Sequence, residues 1–209
     1  MSDATYIHWA ASNLNVPDAV VTKVWSGDNS TVYKIDQWYL KIGFGLAPEQ
    51  ERLRWLNSRL PVPNVIAFST LEHKDALLTT PVAGKSLADL KQQLPASDIV
   101  EMLASALRAF HKAATGDCPF NAAISGEALV HGDACLPNIM FHDDGTLSGF
   151  VDLGQMGVGD IEVDLSAAVW SLQYNLGPGH GLAFLRAYGR TSATSDDVDR
   201  LWAMYANEI

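Results

Sequence analysis

Leu129-Val130-His131-Gly132-Asp133-Ala134-Cys135-Leu136-Pro137-Asn138-Ile139-Met140-Phe141 is followed, after an acidic turn, by Ser148-Gly149-Phe150-Val151-Asp152-Leu153-Gly154. Asp133, Asn138 and Asp152 stand out as polar residues on an apolar background. An aspartate that takes a hydroxyl proton and an asparagine five positions on, with a second aspartate further on, is the layout of a phosphoryl-transfer centre. The spacing has a physical reason. The loop must point Asp133 at an acceptor oxygen while Asn138 turns back toward a metal. Pro137 fixes φ and lacks an N–H, which suits a loop leaving for a strand. Ile139 to Phe141 reads as that strand, His142-Asp143-Asp144-Gly145 as a hairpin turn, and Leu147 to Val151 as the return strand. The hairpin delivers Asp152 beside Asn138. Two oxygen ligands on adjacent strand ends suit a hard cation such as Mg²⁺, which keeps water and phosphate as its other ligands.

His131-Gly132-Asp133 with Asn138 matches a kinase catalytic loop, with Gly in the place of Arg. Asp152-Leu153-Gly154 stands where protein kinases carry Asp-Phe-Gly. In that layout Asp133 is the catalytic residue, Asn138 and Asp152 are the metal ligands, and ATP is the phosphoryl donor.

Upstream, a short amphipathic helix is expected within residues 1–20. Strands follow at Val21 to Trp25, Thr31 to Ile35 and Trp38 to Ile42, with turns at Ser26 to Ser30 and at Asp36-Gln37. A small polar turn between strands can offer backbone N–H groups to phosphates. Ser26 and Asp28 lie in this one. Lys41 sits inside the apolar strand Trp38-Tyr39-Leu40-Lys41-Ile42, where an ammonium needs an anion. The kinase template gives it the nucleotide phosphates and a glutamate from the next helix. That helix is predicted over Pro48 to Leu60, with Glu49 in its first turn. The competing reading is a lysine snorkelling from an edge strand.

Two further strands are expected at Val65 to Phe68 and Ala76 to Thr80, linked by Glu72 to Asp75. Thr80-Pro81-Val82-Ala83-Gly84 then breaks the pattern. The chain is therefore divided into a nucleotide-binding lobe (1–80), a hinge (81–84) and a catalytic and substrate-binding lobe (85–209). The fold class is α+β: a two-lobed, protein-kinase-like fold with a small antiparallel sheet and one helix in the first lobe and a mostly helical second lobe. In the second lobe Asp98 with Glu101 reads as a capping box. Ile99, Met102, Leu103, Leu107 and Phe110 form an apolar helical face. His111 reads as a surface or core histidine. Asp164 precedes Leu165 to Leu172 and reads as a helix cap or as a support for the catalytic loop. Gly189 closes a helix over Leu182 to Tyr188, and Asp196 is read as the cap of the last one.

Composition bounds the remaining readings. The chain has 209 residues, 48% apolar and 18% charged, with a formal net charge of −10. That charge argues against nucleic acid and suits a cationic small molecule. Cys118 and Cys135 have no metal-type spacing and read as reduced thiols of a cytoplasmic protein. Neither a signal peptide nor a membrane-spanning run is expected.

These motifs resemble the aminoglycoside phosphotransferase family, in particular the 3′-kinases of kanamycin and neomycin, which confer antibiotic resistance. The residues that carry the resemblance are Val130 to Met140, Gly149 to Gly154, Gly157-Val158-Gly159-Asp160 with Asp164-Leu165, Asp117-Cys118-Pro119-Phe120, Trp55-Leu56 with Leu60-Pro61-Val62-Pro63, and Tyr39-Leu40-Lys41. The resemblance implies Asp133 as catalytic residue, Asn138 and Asp152 on Mg²⁺, and Lys41 with Glu49 at the ATP phosphates. It implies Tyr39 stacked on adenine and Thr80 and Val82 as hinge contacts, with Val151, Ser26 and Asp28 in the nucleotide site. Asn207, Glu208 and the α-carboxylate of Ile209 fall where that family holds substrate amines. A frayed terminus is the bland reading of the same three residues.

The chain also departs from the family pattern. Only Asn121 to Val130 separate the Cys-Pro-Phe segment from the His-Gly-Asp loop, where the family has several dozen mostly helical residues forming one wall of the antibiotic site. Gln155 and Trp170 stand where arginines are usual, Asn207 replaces an acid, and the first phosphate turn is one residue short. Two alternatives to an aminoglycoside kinase follow: a kinase for another small alcohol, or a nucleotide-binding remnant without a working acceptor site. A homodimer is one way for a second copy to supply the absent wall.

Overall fold

The structure is a computed structural model that describes residues 3–27 and 29–206. Asp28, Asn207, Glu208 and Ile209 lie outside the described residues. The chain divides into two compact units, one of residues 1–57 and 62–81 and the other of 58–61 and 82–209.

The first unit holds helix α1 (Ala4–Leu14), strands β1 (Val21–Ser26), β2 (Ser30–Ile35) and β3 (Trp38–Gly43), helix α2 (Ala47–Leu56), and strands β4 (Val65–Leu71) and β5 (Lys74–Thr79). The strands form one antiparallel sheet in the order β1-β2-β3-β5-β4. Side chains alternate across a strand, so Leu40 and Ile42 face the core while Tyr39 and Lys41 face the other way. That core joins Tyr33, Ile35, Ala76 and Leu78 to Tyr6 and Ala10 of α1. Helix α1 therefore adds to α2 a second helix in this unit.

Two boundaries differ from the sequence reading. Helix α2 ends at Leu56 rather than Leu60, because Asn57 and Ser58 are weak helix formers and Pro61 turns the residue before it away from helical backbone. The expected four-residue link at Glu72 to Asp75 is a two-residue turn, with Glu72 at φ 59°. Lys74 and Asp75 belong to β5, and Asp75 Oδ2 accepts a bond from Leu46 N at 2.8 Å at the entry to α2.

The second unit holds β6 (Lys85–Ser86), α3 (Leu87–Leu90), α4 (Ala96–His111), β7 (Ala128–Val130), a 3-10 turn (Leu136–Asn138), β8 (Ile139–Phe141), β9 (Leu147–Phe150), β10 (Gly157–Gly159), α5 (Glu162–Leu176), α6 (Gly181–Tyr188) and α7 (Ser195–Ala206). Its two small sheets are β6-β8-β9 and β10-β7. Residues 58–61 group with this unit, and Pro61 O accepts from Phe150 N at 3.0 Å.

Helix α4 buries Ile99, Leu103, Leu107 and Phe110, as its periodicity predicts. Its expected capping box is absent. Pro95 pre-sets the entry and the helix begins at Ala96, so Asp98 falls inside the first turn, where its charge suits the helix dipole. The capping box that does form is Ser86 with Asp89 on α3. Asp196 likewise lies inside the first turn of α7. There Asp197 Oδ2 accepts from Thr194 N at 2.9 Å and from Thr194 Oγ1 at 3.1 Å. Gly189 closes α6 at φ 119°, as expected. No helix among the described residues is long and apolar enough to cross a membrane.

Candidate active site

Asp133 lies between β7 and the 3-10 turn, on a loop fixed from three sides. Gly132 comes first. Its φ is 89°, and a Cβ there would lie 2.6 Å from Gln155 O. Only glycine fits, which accounts for Gly where protein kinases have Arg.

The second support is Asp164, which is fully buried on α5. Its Oδ2 accepts from His131 N at 2.7 Å and its Oδ1 from Gly132 N at 2.8 Å. His111 Nε2 lies 2.9 Å from Oδ2. A carboxylate oxygen accepts, so Nε2 carries the hydrogen there, and Nδ1 shares a hydrogen bond with Tyr188 Oη at 2.7 Å. Of the two readings open for Asp164, the loop support is realised. Helix α5 already starts at Glu162, whose N–H is capped by Asp160 Oδ1 at 2.9 Å.

The third support is His131 itself, fully buried against Phe110 and Phe150 with ring centroids 5.6 and 6.3 Å away. Its Nε2 donates to Val151 O at 3.1 Å, so its Nδ1 is the acceptor for Asp133 N at 3.3 Å. One imidazole thus ties the loop to the segment that carries Asp152. Beside it, Val151 N donates to Asn138 O at 3.0 Å, and β8 pairs with β9 through Ile139 and Phe150. The hairpin therefore brings Asn138 and Asp152 to neighbouring strand ends. Asp152 has φ 60°, a left-handed conformation uncommon for a non-glycine residue. Strain of this kind gathers at functional sites.

Asn138 Nδ2 donates to Asp133 O and to Asp133 Oδ2, both at 3.0 Å. Tyr205 Oη on α7 donates to Asp133 Oδ1 at 3.1 Å. Burial, with the Asp133 charge added, pushes the Tyr205 hydroxyl far above its ordinary value, so it stays protonated and is the donor. Burial and the same charge raise the Cys135 thiol as well, which leaves it a neutral neighbour 3.6 Å from Tyr205 Oη. Each Asp133 oxygen thus accepts a bond from a neighbouring side chain, which fixes the plane of the carboxylate.

Sequence reasoning missed three members of this arrangement. Tyr205, on the last helix, carries no local signal of a role at Asp133. Ser171 Oγ accepts from Leu136 N at 2.9 Å and anchors the start of the 3-10 turn. The bridging role of His131 depends on two backbone groups far apart in sequence. A signal for Ser171 existed: Asp164, Ala167, Ser171 and Asn175 are spaced by three and four residues, one helix face holding the loop from below.

In the first unit, Lys41 Nζ meets Glu49 Oε2 at 2.7 Å. Strand β3 is central in its sheet, so the edge-strand reading of Lys41 does not hold. Tyr39 shares the Lys41 face of β3. Ser26 is exposed, with Oγ 3.2 Å from Thr31 Oγ1. Thr80 N donates to Asn64 O at 3.0 Å, and Thr80 Oγ1 accepts from Asn64 N at 2.9 Å. Val82 belongs to the second unit.

Comparison with known proteins adds a second line. The chain is similar to an aminoglycoside 3′-phosphotransferase of Niallia circulans, 29% identical, over 88% of this chain and 90% of that protein. It is similar to one from Escherichia coli at 25% identity, over 87% and 83%. The first alignment spans 240 positions yet engages 88% of a 209-residue chain, so the relative carries segments without a counterpart here.

Among solved structures, the aminoglycoside phosphotransferase APH(3'')-Id of Streptomyces rimosus superposes with a TM-score of 0.74 at 22% identity, covering 96% of both chains. A Plasmodium vivax ethanolamine kinase superposes at 0.63 with 12% identity, over 94% of this chain and 74% of that one. The kinase-like, two-lobed α+β fold expected from the sequence is thereby established. The model of the phosphotransferase enzyme family matches residues 21–126 and 125–202. A match that spans this much of the sequence decides the assignment: the chain belongs to the phosphotransferase enzyme family.

Proposed function

We propose that the protein transfers the γ-phosphate of ATP to a hydroxyl of an aminoglycoside, in a Mg²⁺-dependent reaction that confers antibiotic resistance in the cytoplasm. The observation that carries this is the Asp133 carboxylate, held in place by Tyr205 and Asn138. The names of the relatives, aminoglycoside 3′-phosphotransferases, support the acceptor class.

The donor set fits the metal. Asn138 Nδ2 is committed to Asp133, which fixes the amide so that its oxygen faces the other way. That oxygen and the Asp152 carboxylate are hard ligands. Among the described residues no group of three or more His, Cys, Asp or Glu forms a softer or all-protein metal cage. Two protein oxygens are what Mg²⁺ takes when phosphates and waters complete its shell. When bound, the metal supplies charge neutralisation on the transferring phosphoryl group.

The chain's own residues do the rest. Asp133 orients the acceptor hydroxyl and takes its proton. Glu49 holds the Lys41 ammonium for the nucleotide phosphates, and Ser26 and Asp28 belong to the turn that offers them backbone donors. Tyr39 stacks on the base, Thr80 offers its carbonyl and Val82 its backbone to the adenine edge, and Val151 lines the nucleotide site. By the family resemblance, Asn207, Glu208 and Ile209 are assigned to substrate binding as well. In this reading residues 1–80 act as the nucleotide-binding lobe and 85–209 as the catalytic and substrate-binding lobe, with a hinge at 81–84.

The alignment gaps favour a second reading, in which the acceptor is a smaller alcohol that needs no additional wall. Incubation with Mg·ATP and a panel of aminoglycosides and small amino alcohols, followed by mass spectrometry of the products, tests both. Phosphorylated kanamycin is expected. Phosphorylation of amino alcohols alone selects the second reading, and ATP binding without any product overturns both.

A further inference from the structure

The protein places an aromatic surface next to Asp133. Trp170 and Tyr174 lie one turn apart on α5, their rings stacked at 5.1 Å with 9° between planes. Tyr205 of α7 leans on Trp170 at 5.2 Å and 41°. The same Tyr205 donates its hydroxyl proton to Asp133 Oδ1. A continuous series of rings therefore leads outward from the carboxylate that faces the acceptor. At its outer end Tyr174 is 75% exposed. A large aromatic left in water gains little from folding, while its open face is well suited to a ligand.

We infer that Trp170, Tyr174 and Tyr205 form the acceptor subsite, a wall whose open outer face at Tyr174 takes one ring of a multi-ring cationic amino sugar while a hydroxyl of another ring meets Asp133; this rests on the kinase reading given above. The chemistry matches at three points. The C–H face of a sugar packs on an aromatic face. The electron-rich faces of Trp and Tyr attract an ammonium group. The chain's formal charge of −10 favours approach of a polycation. Tyr205 belongs to both parts of the site: its ring closes the wall, and its hydroxyl orients the carboxylate. A ring held at the outer end of the wall thereby sets the distance of the rest of the acceptor from the group that receives its proton. Such a wall is built from α5 and α7 alone, so it needs none of the segments found only in longer relatives.

The test compares steady-state kinetics and calorimetric binding of kanamycin for the full chain and three variants. Tyr174→Ala is expected to raise KM for kanamycin about 5-fold, with KM for ATP and kcat within about 2-fold, and Trp170→Leu/Tyr174→Ala to raise KM for kanamycin about 20-fold. Tyr174→Phe should restore wild-type KM, since the ring and not the hydroxyl binds. Tyr174 is exposed, so its variants fold whatever becomes of the double variant. Wild-type turnover of kanamycin with unchanged KM in Tyr174→Ala and in the folded double variant overturns the wall and leaves the kinase standing. A wild-type enzyme that phosphorylates only alcohols lacking a sugar ring overturns the sugar as occupant. A wild-type protein that binds no amino sugar overturns the wall together with the acceptor class.

Discussion

The Asp133 loop and the Lys41 strand hold charged groups by opposite means. Asp133 is held through its neighbours: two backbone N–H groups sit on Asp164, an imidazole bridges to Val151, and both carboxylate oxygens accept protein bonds. Lys41 lies on a regular β-strand and makes a close ion pair with Glu49. A loop lacks the repeating backbone ladder that fixes a strand, so side chains must do that work. The difference teaches where mutations should show. Damage to the loop supports should appear first as lost stability, whereas damage to the Lys41 pair should appear as lost activity in a protein that still folds.

The largest effect tests the first half of that contrast. Asp164→Ala leaves the N–H groups of His131, Gly132 and His111 without their buried acceptor, at a cost of about 3–5 kcal/mol. A urea midpoint close to wild type would break the comparison. Lys41→Met tests the other half. Catalytic efficiency should fall about 100-fold; because Glu49 is buried, Lys41→Met is combined with Glu49→Gln so that no carboxylate is left uncompensated, and the unfolding free energy of that double variant should change by less than about 1 kcal/mol. A large loss of stability would show that the strand, too, relies on its charges.

Tyr205→Phe removes one donor from Asp133 and keeps the ring. We expect kcat to fall about 10-fold with KM for the acceptor nearly unchanged. Unchanged kcat would mean that Asn138 alone suffices to orient the carboxylate. The smallest effect comes from the ion pairs at the start of α5, where Arg200 and Arg190 hold the Glu162 carboxyl down at about 2. A carboxyl depressed on folding contributes stability above its unfolded range, and this is lost as pH falls toward 2. Glu162→Gln should therefore cost about 1 kcal/mol at pH 7 and nothing near pH 2, as thermal unfolding across pH will show. An equal cost at both pH values would point to packing rather than charge.

What could be read from the sequence was what is local. The five-residue interval from Asp133 to Asn138 and the hairpin to Asp152 report geometry within one short stretch, and the structure folds them together as expected. The N-terminal strands were visible through apolar alternation around Lys41. Helix ends were read less well, because Asp98 and Asp196 are equally good as caps or as first-turn charges, and Pro95 and Thr194 decided between them. Tyr205 could not be found, since 72 residues separate it from Asp133 and an aromatic on an amphipathic helix looks like core. Asp164 was half legible: its position before an apolar helix suggested a support, but only the fold shows which N–H groups it carries.

The central claim is that Asp133 is held ready to receive the proton of an acceptor hydroxyl. Kanamycin-stimulated ADP release from Mg·ATP, measured beside nucleotide affinity in wild type and Asp133→Asn, tests it most directly. Asparagine keeps the shape and cannot take the proton, so stimulation should fall by about 10³-fold or more while the Kd for nucleotide stays within 2-fold. A variant that releases ADP at the wild-type rate on addition of kanamycin would contradict the claim.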